Sequence, residues 1–427
     1  MSSRQASELF AAAIVSMILP IDSRHSACNT RYMHCPRQVP LRDIAAGYLR
    51  IGSTSFGMAM MPQIRTLVTK PGWLTQEEFR DGTALVQVYP GPFIVDLAAY
   101  TGYRLRGVRG ALVAASCLIL PAFVSMVVLS AVYFELGTVP SVQRFLVGLE
   151  ALLIGILLQL TLDLGARHVR SQSAAVLAVL GFAALLFNVN PALVVVGALG
   201  AGIVLYYARR SSETDDEPPT APAVQTRRGR WLPIGIAGSM VMVAAIMAWL
   251  WEAPLGAMTL GLLKIGSIAF GGVATIAPML QSEVTQLHQW LTPREFIDGL
   301  ALGQATPGPP VVTAAFTGYK LGGVVGAALA TCAIFAPSVV MTMLFTELLE
   351  RFRGRHVLEP LLASIMAAFV GLLAGMTLQL GMAALRGPAE LTLAAAAFAA
   401  AQVFRLDAIW VFGGGLGLWA LVVVAGG

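Results

Sequence analysis

The sequence WLTQEEFRDGTALVQVYPGP, from Trp73 to Pro92, has a second copy, WLTPREFIDGLALGQATPGP, from Trp290 to Pro309. Most positions of the two copies are identical, and the offset between them is constant at 217 residues. In each copy a polar, acidic turn leads into an apolar segment that ends in Pro-Gly-Pro. Repetition at a fixed spacing indicates two homologous units, and the rest of the chain is placed around these two copies.

The composition indicates a membrane protein. Of the 427 residues, 57% are hydrophobic and 12% are charged, whereas soluble proteins have roughly 25% charged residues. Apolar runs of roughly 20 residues, long enough to cross a bilayer, recur along the chain. The net charge of +5 is typical of basic cytoplasmic loops and does not indicate nucleic-acid binding. We predict an all-α polytopic membrane protein.

Further matching segments divide the chain into two halves. Residues 41–57 match 255–271, and 101–107 match 317–323. We expect a leader at residues 1–40, a first membrane repeat half at 41–208, a cytoplasmic linker at 209–231 and a second half at 232–427. The leader has an apolar run too short to span, so it is a targeting segment, a surface helix or a misplaced start.

Basic residues orient the halves. In the first half they concentrate in the loop before the long apolar helix and in the second loop after that helix. In the second half they concentrate in the first loop after the matching long helix, at residues 351–356. Under the positive-inside rule, equivalent loops then lie on opposite sides of the membrane. The sequence predicts two inverted structural repeats with broken or re-entrant helices. The alternative is a parallel duplication.

Two helix breaks occur at matching positions in both halves, one at Phe-Gly and one at Pro-Gly-Pro. Interrupted helices in matching positions of inverted repeats indicate a transport site near the midplane. Proline suits a first helical turn, and the free amides and dipole of such a helix start attract anions. The predicted substrate-binding glycines are Gly57, Gly91, Gly271, Gly272 and Gly308, and the predicted helix-break prolines are Pro90, Pro92, Pro307 and Pro309. The alternative is that these prolines only kink the helices.

Several polar side chains near the breaks are candidate anion ligands. Arg50 and Lys264 occupy matching positions and would balance the charge of an oxyanion; alternatively, they extend toward the interface from helix ends. The hydrogen-bond donors would be Gln87, Gln304, Ser53 and Ser267, whose alternative role is bonding between helices.

The acidic residues are the candidates for proton coupling. Glu78, Asp81, Glu295 and Asp298 lie in the turns that open the two copies, where an acid also serves as a helix cap. Asp96 differs, since it lies inside an apolar segment and has no acidic counterpart. Buried acids of this kind often titrate during transport. Glu150 and Asp163 are weaker candidates.

Enzymatic motifs are absent from the sequence. It contains no Walker loop, no HExxH and no GxSxG, so we expect a protein that is not an enzyme. The leader cysteines and histidines fit no standard metal-site spacing, and four cysteines do not form a disulfide framework. We expect no metal and no other cofactor.

The sequence resembles the chromate ion transporter (CHR) family, in its long-chain two-repeat form. The resemblance is carried by FGGVATIAPMLQSEV from Phe270, QWLTPREFIDGLALGQATPGP from Gln289, TGYKLGGVVGA from Thr317 and FAPS at 335–338, with SFG, GWLTQEEFRDG and TGY in the first copy. The first copy departs from the family's Phe-Gly-Gly-Pro, since Met58 and Ala59 follow Gly57.

The resemblance implies export of chromate, with sulfate as a close tetrahedral analogue, driven by the proton gradient. The expected partners are chromate or sulfate, protons and the lipid bilayer, in a multi-pass protein of the inner (plasma) membrane that confers chromate resistance. The alternatives are a carrier of sulfate or another oxyanion, or an anion channel. Whether the chain forms a homodimer is left open.

Overall fold

The computed structural model describes residues 39–87, 89–136, 139–210, 235, 238–239, 253–270, 273–349 and 358–425. Within these ranges the chain is helical, and its β-structure consists of two isolated bridges. Residues 1–38 of the predicted leader, residues 211–231 of the predicted linker and most of the span expected at residues 232–250 lie outside the described residues.

The helices of each half follow one another in a similar order. Those of the first half are α1 (Leu41–Thr54), α2 (Met60–Thr69), α3 (Gln76–Leu85), α4 (Phe93–Leu136), α5 (Pro140–His168), α6 (Gln172–Leu186) and α7 (Pro191–Arg210). Those of the second half are α8 (Ala253–Ile268), α9 (Val273–Gln281, continued by a π-helix at Ser282–Leu287), α10 (Pro293–Ala305), α11 (Ala314–Leu349), α12 (Leu358–Ala384), α13 (Pro388–Gln402) and α14 (Ala408–Ala425).

The long helices have the length and composition of membrane spans. Among the described residues, α4, α5, residues 310–347 and residues 362–384 are long and apolar enough to cross a bilayer. Their neighbours expose large apolar side chains, such as Val179 at 65% and Trp410 at 68%. In water such a surface would be unfavourable, but lipid solvates it. The prediction of an all-α polytopic membrane protein is confirmed.

Equivalent kinks confirm that the halves are repeats. In α4 the helix is interrupted at Arg106 and Gly107, and in α11 at Gly322 and Gly323, where both second residues have positive φ, +63° and +57°. Glycine adopts this conformation without strain. Each kink divides its helix into a short segment, 93–105 or 314–321, and a long crossing segment, 108–136 or 324–349.

The short segments complete re-entrant hairpins. Glu78 at the start of α3 pairs with Arg104 at 2.9 Å, so the two ends of the segment around the first Pro-Gly-Pro lie at the same membrane face. Lys320 and Glu295 close the second copy in the same way at 2.6 Å. Two more hairpins are formed by α1 with α2 and by α8 with α9. We name the four hairpins A (α1–α2), B (α3 with 93–105), C (α8–α9) and D (α10 with 310–321).

The contacts between halves show that the repeats are inverted. The long segment of α4 starts at the base of hairpin B, and near its other end Tyr133 donates a hydrogen bond to Asp298 of hairpin D at 2.8 Å. Reciprocally, Tyr103 near the base of hairpin B donates to Glu347, near the end of α11, at 2.5 Å. The bases of B and D therefore lie at opposite membrane faces.

One contact marks the symmetry axis that relates the halves. The hydroxyl oxygens of Thr161 in α5 and Thr377 in α12 are 3.3 Å apart, and these residues occupy matching positions of the two repeats. A residue that touches its own counterpart lies on a two-fold axis. Because α5 and α12 run in opposite directions here, the axis lies in the membrane plane.

Candidate functional site at the junction of four hairpin tips

The four hairpin tips meet in pairs across the halves. Phe56 at the tip of A forms a parallel bridge with Gly308 at the tip of D, and Gly91 at the tip of B forms one with Phe270 at the tip of C. The Gly308 amide donates to the Ser55 carbonyl at 2.8 Å. Broken backbone within a bilayer is tolerated where protein surrounds it. Both predicted types of break therefore lie at one junction.

The bridges require glycine at the centre of each Pro-Gly-Pro. Gly308 has a φ of +107°, and a Cβ there would lie 2.6 Å from the Cβ of Ala122. A Cβ on Gly91 would lie 2.2 Å from Asp96 Oδ2 and 2.6 Å from the Cβ of Ser338. Neither position has space for a side chain.

The other predicted glycines differ from these two. Gly57 has a φ of +48°, and an added Cβ there would meet no atom within 4 Å, so Gly57 faces open space at the tip. Gly271 and Gly272 lie outside the described residues.

The two Pro-Gly-Pro segments lead into different helix starts. After Pro92 the α-helix begins at once, and the amides of Val95 and Asp96 bond to the Pro92 carbonyl. The amides of the first helical turn before them are left for another acceptor. After Pro309 a 3₁₀ turn, Pro310–Thr313, precedes α11, and Pro310 removes one more amide. The helix start expected directly after Pro309 is therefore shifted, whereas the one after Pro92 is as predicted.

Tip B is lined by polar groups. Asp96 is fully buried, and its Oδ1 faces the Thr342 hydroxyl of α11 at 3.4 Å. The Tyr89 hydroxyl donates to the same threonine at 2.8 Å. Asp96 is thus held between the halves at the junction, inside the membrane, as the sequence predicted for its position.

The predicted cations have unequal surroundings. Arg50 is exposed and has no ion-pair partner in the part of the chain that the structure describes. Lys264 Nζ lies 2.6 Å from Glu283 Oε2, and Glu283 is 7% exposed. His288 Nε2 lies 3.7 Å from the other oxygen of Glu283. The charge of Lys264 is therefore already balanced, whereas that of Arg50 is available to a ligand.

The predicted hydrogen-bond donors make local contacts or, among the described residues, none. Ser53 donates to the Arg50 carbonyl at 3.0 Å, and Ser267 donates to the Leu263 carbonyl at 2.7 Å. Gln87 is exposed and Gln304 half-buried, near the tips of B and D. Pro90 and Pro307 are half-buried, and Pro92 and Pro309 are buried.

The acidic turns cap helices, and a glutamate in each forms the ion pair that closes the base of its hairpin. We call these two ion pairs the clasps. Thr75 with Glu78, and Thr292 with Glu295, form capping boxes. Burial alone would raise the pKa of both glutamates, but the hydrogen bonds from the cap threonines, together with Arg104 or Lys320, outweigh it and lower the pKa. Both glutamates are therefore ionised at the hairpin bases.

The remaining predicted acids are divided between surface and interior. Asp81 is half-buried, and Asp163 is 39% exposed and pairs with Arg167 at 3.3 Å. Asp298 and Glu150 are 2% and 3% exposed. Both are therefore buried.

Sequence reasoning missed several polar groups that face the tips. Ser55 is 2% exposed, and its hydroxyl has no hydrogen-bond partner in the described residues. Ser338 lies against Gly91, and Glu283 binds Lys264. All three lie in segments that carry the family resemblance, SFG, FGGVATIAPMLQSEV and FAPS, but their neighbours are set by the fold.

Comparison with known proteins places this architecture in a family. The chromate transporter family model matches residues 42–203 and 256–421, one region in each half. A chromate transport protein of Pseudomonas aeruginosa is 26% identical over 400 residues, covering 90% of each chain. A chromate transport protein of Cupriavidus metallidurans is 26% identical over 351 residues, 80% of this chain and 83% of the relative.

An uncharacterized transporter of Methanocaldococcus jannaschii is also 26% identical, over 342 residues that cover 80% of this chain and 84% of the relative. No solved structure matches. Since the family match spans most of both halves, this chain belongs to the chromate transporter family.

Proposed function

We propose that this protein is a secondary transporter that exports chromate, a divalent tetrahedral oxyanion, from the cytoplasm in exchange for protons, and so gives chromate resistance. The observation that carries the proposal is the cross-paired junction of the four hairpin tips. A site built between two inverted halves is exposed to either face by rocking one half against the other.

Chromate would bind at this junction through charge and backbone amides. The first-turn amides that follow Pro92 supply a positive helix end, and Arg50 supplies a cation without an acidic partner in the described chain. Lys264 would join when the anion displaces Glu283, which now holds it at 2.6 Å. Two cations would then balance a divalent anion.

The face at which hairpins A and B open would be cytoplasmic. Basic residues concentrate there, namely Arg42, Arg65, Lys70, Arg104, Arg106, Arg109, Arg167 and Arg170. The opposite face has fewer, namely Arg144, Arg294, Lys320 and Arg386. The positive-inside rule then orients the chain in the plasma membrane, with hairpins C and D opening to the outside.

Asp96 would couple the anion to protons. An ionised carboxylate and a bound divalent anion repel each other, so the charge of Asp96 and the occupancy of the site depend on each other. Because Asp96 lies against Gly91 of the tip itself, it would sense the occupancy of the site directly.

The test is chromate uptake by inside-out membrane vesicles that contain the protein. An acidic vesicle interior should drive uptake, a protonophore should abolish the stimulation, and sulfate and molybdate as competitors should define the range of oxyanions. Vesicles without the protein are the control. Uptake that follows only the chromate gradient would contradict the carrier and identify an anion channel.

A further inference from the structure

A second pair of buried acids bridges the halves away from the junction. Glu150 on α5 of the first half and Asp298 on α10 of the second half interact through their side chains, and Arg294, four residues before Asp298 on α10, has its Nε 3.6 Å from Glu150 Oε1. They are 3% and 2% exposed. Neither the tips nor the predicted oxyanion ligands involve this contact.

A hydrogen bond between these two carboxyl groups requires a proton. An ionised carboxylate only accepts hydrogen bonds, so two carboxyl groups bond to each other only when one carries the hydrogen. Two negative charges at this separation in a buried site also repel strongly, which keeps one group protonated. Each acid has one buried oxygen, Glu150 Oε1 and Asp298 Oδ1, without a hydrogen-bond partner in the described residues.

The surrounding groups suit a pair with one net negative charge. Tyr133 of α4 donates to Asp298 Oδ2 at 2.8 Å, and Arg294 Nε lies 3.6 Å from Glu150 Oε1. Arg386, in the turn between α12 and α13, also acts on Glu150. The acid Glu295 is nearby but is held by Lys320. These groups stabilise a single carboxylate and leave its partner neutral.

The pair occurs once rather than in both repeats. The positions that match Asp298 and Glu150 in the other halves hold Asp81 and Met366, and Asp81 is half-buried. A cap or a clasp that the repeat needed for folding would occur twice, as the two capping boxes do. The single occurrence therefore indicates a role in which the two faces of the membrane differ.

The location of the pair points to the outer face. It lies on the side where hairpin D has its base, near the end of α4 that follows the crossing. One acid belongs to each half, so a rocking motion that separates the halves would separate the two carboxyl groups.

We propose that Glu150 and Asp298 form a proton-binding site that takes up one proton from the external side, as an O–H···O⁻ bond between them, and gives it up toward the cytoplasmic side when the halves separate. This role rests on the proposed proton-coupled function. It adds a second proton-binding position to Asp96, closer to the external face. Tyr133 would act as a positioning residue that holds Asp298 in place.

The binding of the proton is tested by infrared difference spectroscopy of the purified protein across a pH change. The wild type should show the carbonyl stretch of a protonated carboxylic acid, and this band should lose intensity in both Glu150→Gln and Asp298→Asn. In each variant the introduced amide donates a hydrogen bond to the remaining carboxylate, which therefore stays ionised. Asp163→Asn, an exposed acid on the same helix, is the matched control. A band that is unchanged in both variants would overturn the proton site.

The coupling role is tested by chromate uptake into inside-out vesicles. Glu150→Gln and Asp298→Asn should each lose the stimulation by an acidic interior but retain exchange of internal for external chromate without a gradient. Asp163→Asn should keep both. If the two variants keep full stimulation, the pair has no coupling role.

The two readouts separate this inference from the proposed function. If the wild type does not transport chromate but the infrared band responds as expected, the proton site stands and the proposed substrate fails. If chromate transport is proton-driven and the band does not respond, the proposed function stands and the proton site fails. Tyr133→Phe adds an independent check, since loss of its hydrogen bond should shift the band without abolishing it.

Discussion

Tips B and D share a cross-half bridge but differ in the side chains around it. Both centre on a glycine in a cross-half bridge, yet Gly91 lies against Asp96 and Ser338, whereas Gly308 lies against Ala122. The residue that matches Asp96 is Thr313, which donates to the carbonyl of Pro310 at 2.9 Å. The duplication kept the bridge geometry in both tips, while the ionisable group is found in only one.

Hairpins A and C differ in the same manner. Arg50 and Lys264 occupy matching positions, but in the part of the chain that the structure describes only Lys264 has an acidic partner, Glu283. Hairpin C carries the π-helical turn that brings Glu283 to this lysine and His288 to the other oxygen of Glu283, and π-helical turns are frequent at functional sites. In each pair of matching hairpins, B with D and A with C, one member therefore has a titratable group beside the repeated residue. In the described residues the other member has none.

Replacement of the tip glycines should have the largest effect. Gly308→Ala adds a Cβ at a φ of +107° and 2.6 Å from Ala122, and the strain and overpacking together should cost about 2–6 kcal/mol. Thermal unfolding in detergent and chromate uptake should both show the loss. Gly197→Ala, where a Cβ meets no atom within 4 Å, is the control. Equal stability of the two variants would show that the bridge does not need glycine.

Replacement of Asp96, the acid of tip B, should have the second-largest effect. Asp96→Asn keeps the shape of the side chain and removes its charge, so gradient-driven chromate uptake should fall to the unstimulated rate while the protein stays folded. Thr313→Val at the matching position of tip D should leave the response to the gradient intact. If both variants respond alike to the gradient, the difference in side chains between tips B and D has no part in proton coupling.

The unpaired cation should dominate anion affinity. Arg50→Ala removes a charge-assisted contact worth about 1.5–3 kcal/mol, so the chromate concentration for half-maximal uptake should rise roughly tenfold or more. Arg167→Ala, an exposed arginine in a surface pair, should change it little. An equal effect of both substitutions would contradict a direct role for Arg50.

Replacing Glu283, the acidic partner of Lys264, should strengthen chromate binding, whereas removing a cation should weaken it. Glu283→Gln releases Lys264 and should lower the half-saturating chromate concentration, whereas Lys264→Ala should raise it, although less than Arg50→Ala does. Lys320→Ala breaks a lysine–glutamate pair of the same 2.6 Å length at a hairpin base and is the matched control. If Glu283→Gln weakens chromate binding, Lys264 is not an anion ligand.

The clasps of hairpins B and D should give the smallest effect. The pKa of Glu295 is below its ordinary 4.5 in the folded protein, so the pair with Lys320 stabilises the fold above that pH. The stabilisation, about 0.2–1 kcal/mol, is lost as the pH falls through the folded pKa. The unfolding temperature of the wild type should therefore decrease more on acidification than that of Glu295→Gln. Parallel curves for the two proteins would exclude this contribution.

Local patterns predicted the elements, while the contacts between them depend on the fold. The two halves and their inversion follow from repetition and arginine placement, and the capping turns follow from acids at the helix starts. The cross-pairing of Phe56 with Gly308 joins positions that are distant in sequence, and nothing in either segment specifies its partner.

The same limit applies to the ionisable groups. Asp96 was identified because an acid in an apolar helix is conspicuous on its own. The partnership of Glu150 with Asp298 depends on how α5 packs against α10, and the partnership of Lys264 with Glu283 on the π-helical turn. A sequence shows that an acid is present, but its neighbours decide whether it holds a proton.

The two bridges also limit how such a chain can have arisen. Each bridge takes one residue from each half, so a polypeptide with one copy of the repeat would leave both of its tips without a backbone partner. A gene for a single copy would give a complete centre only if two product chains inserted into the bilayer in opposite senses and assembled. Insertion in both senses must then have preceded the joining of the two genes, and joining them fixed one sense for each copy. With one sense fixed for each copy, each can carry side chains that the other lacks, such as Asp96 in one and Thr313 in the other.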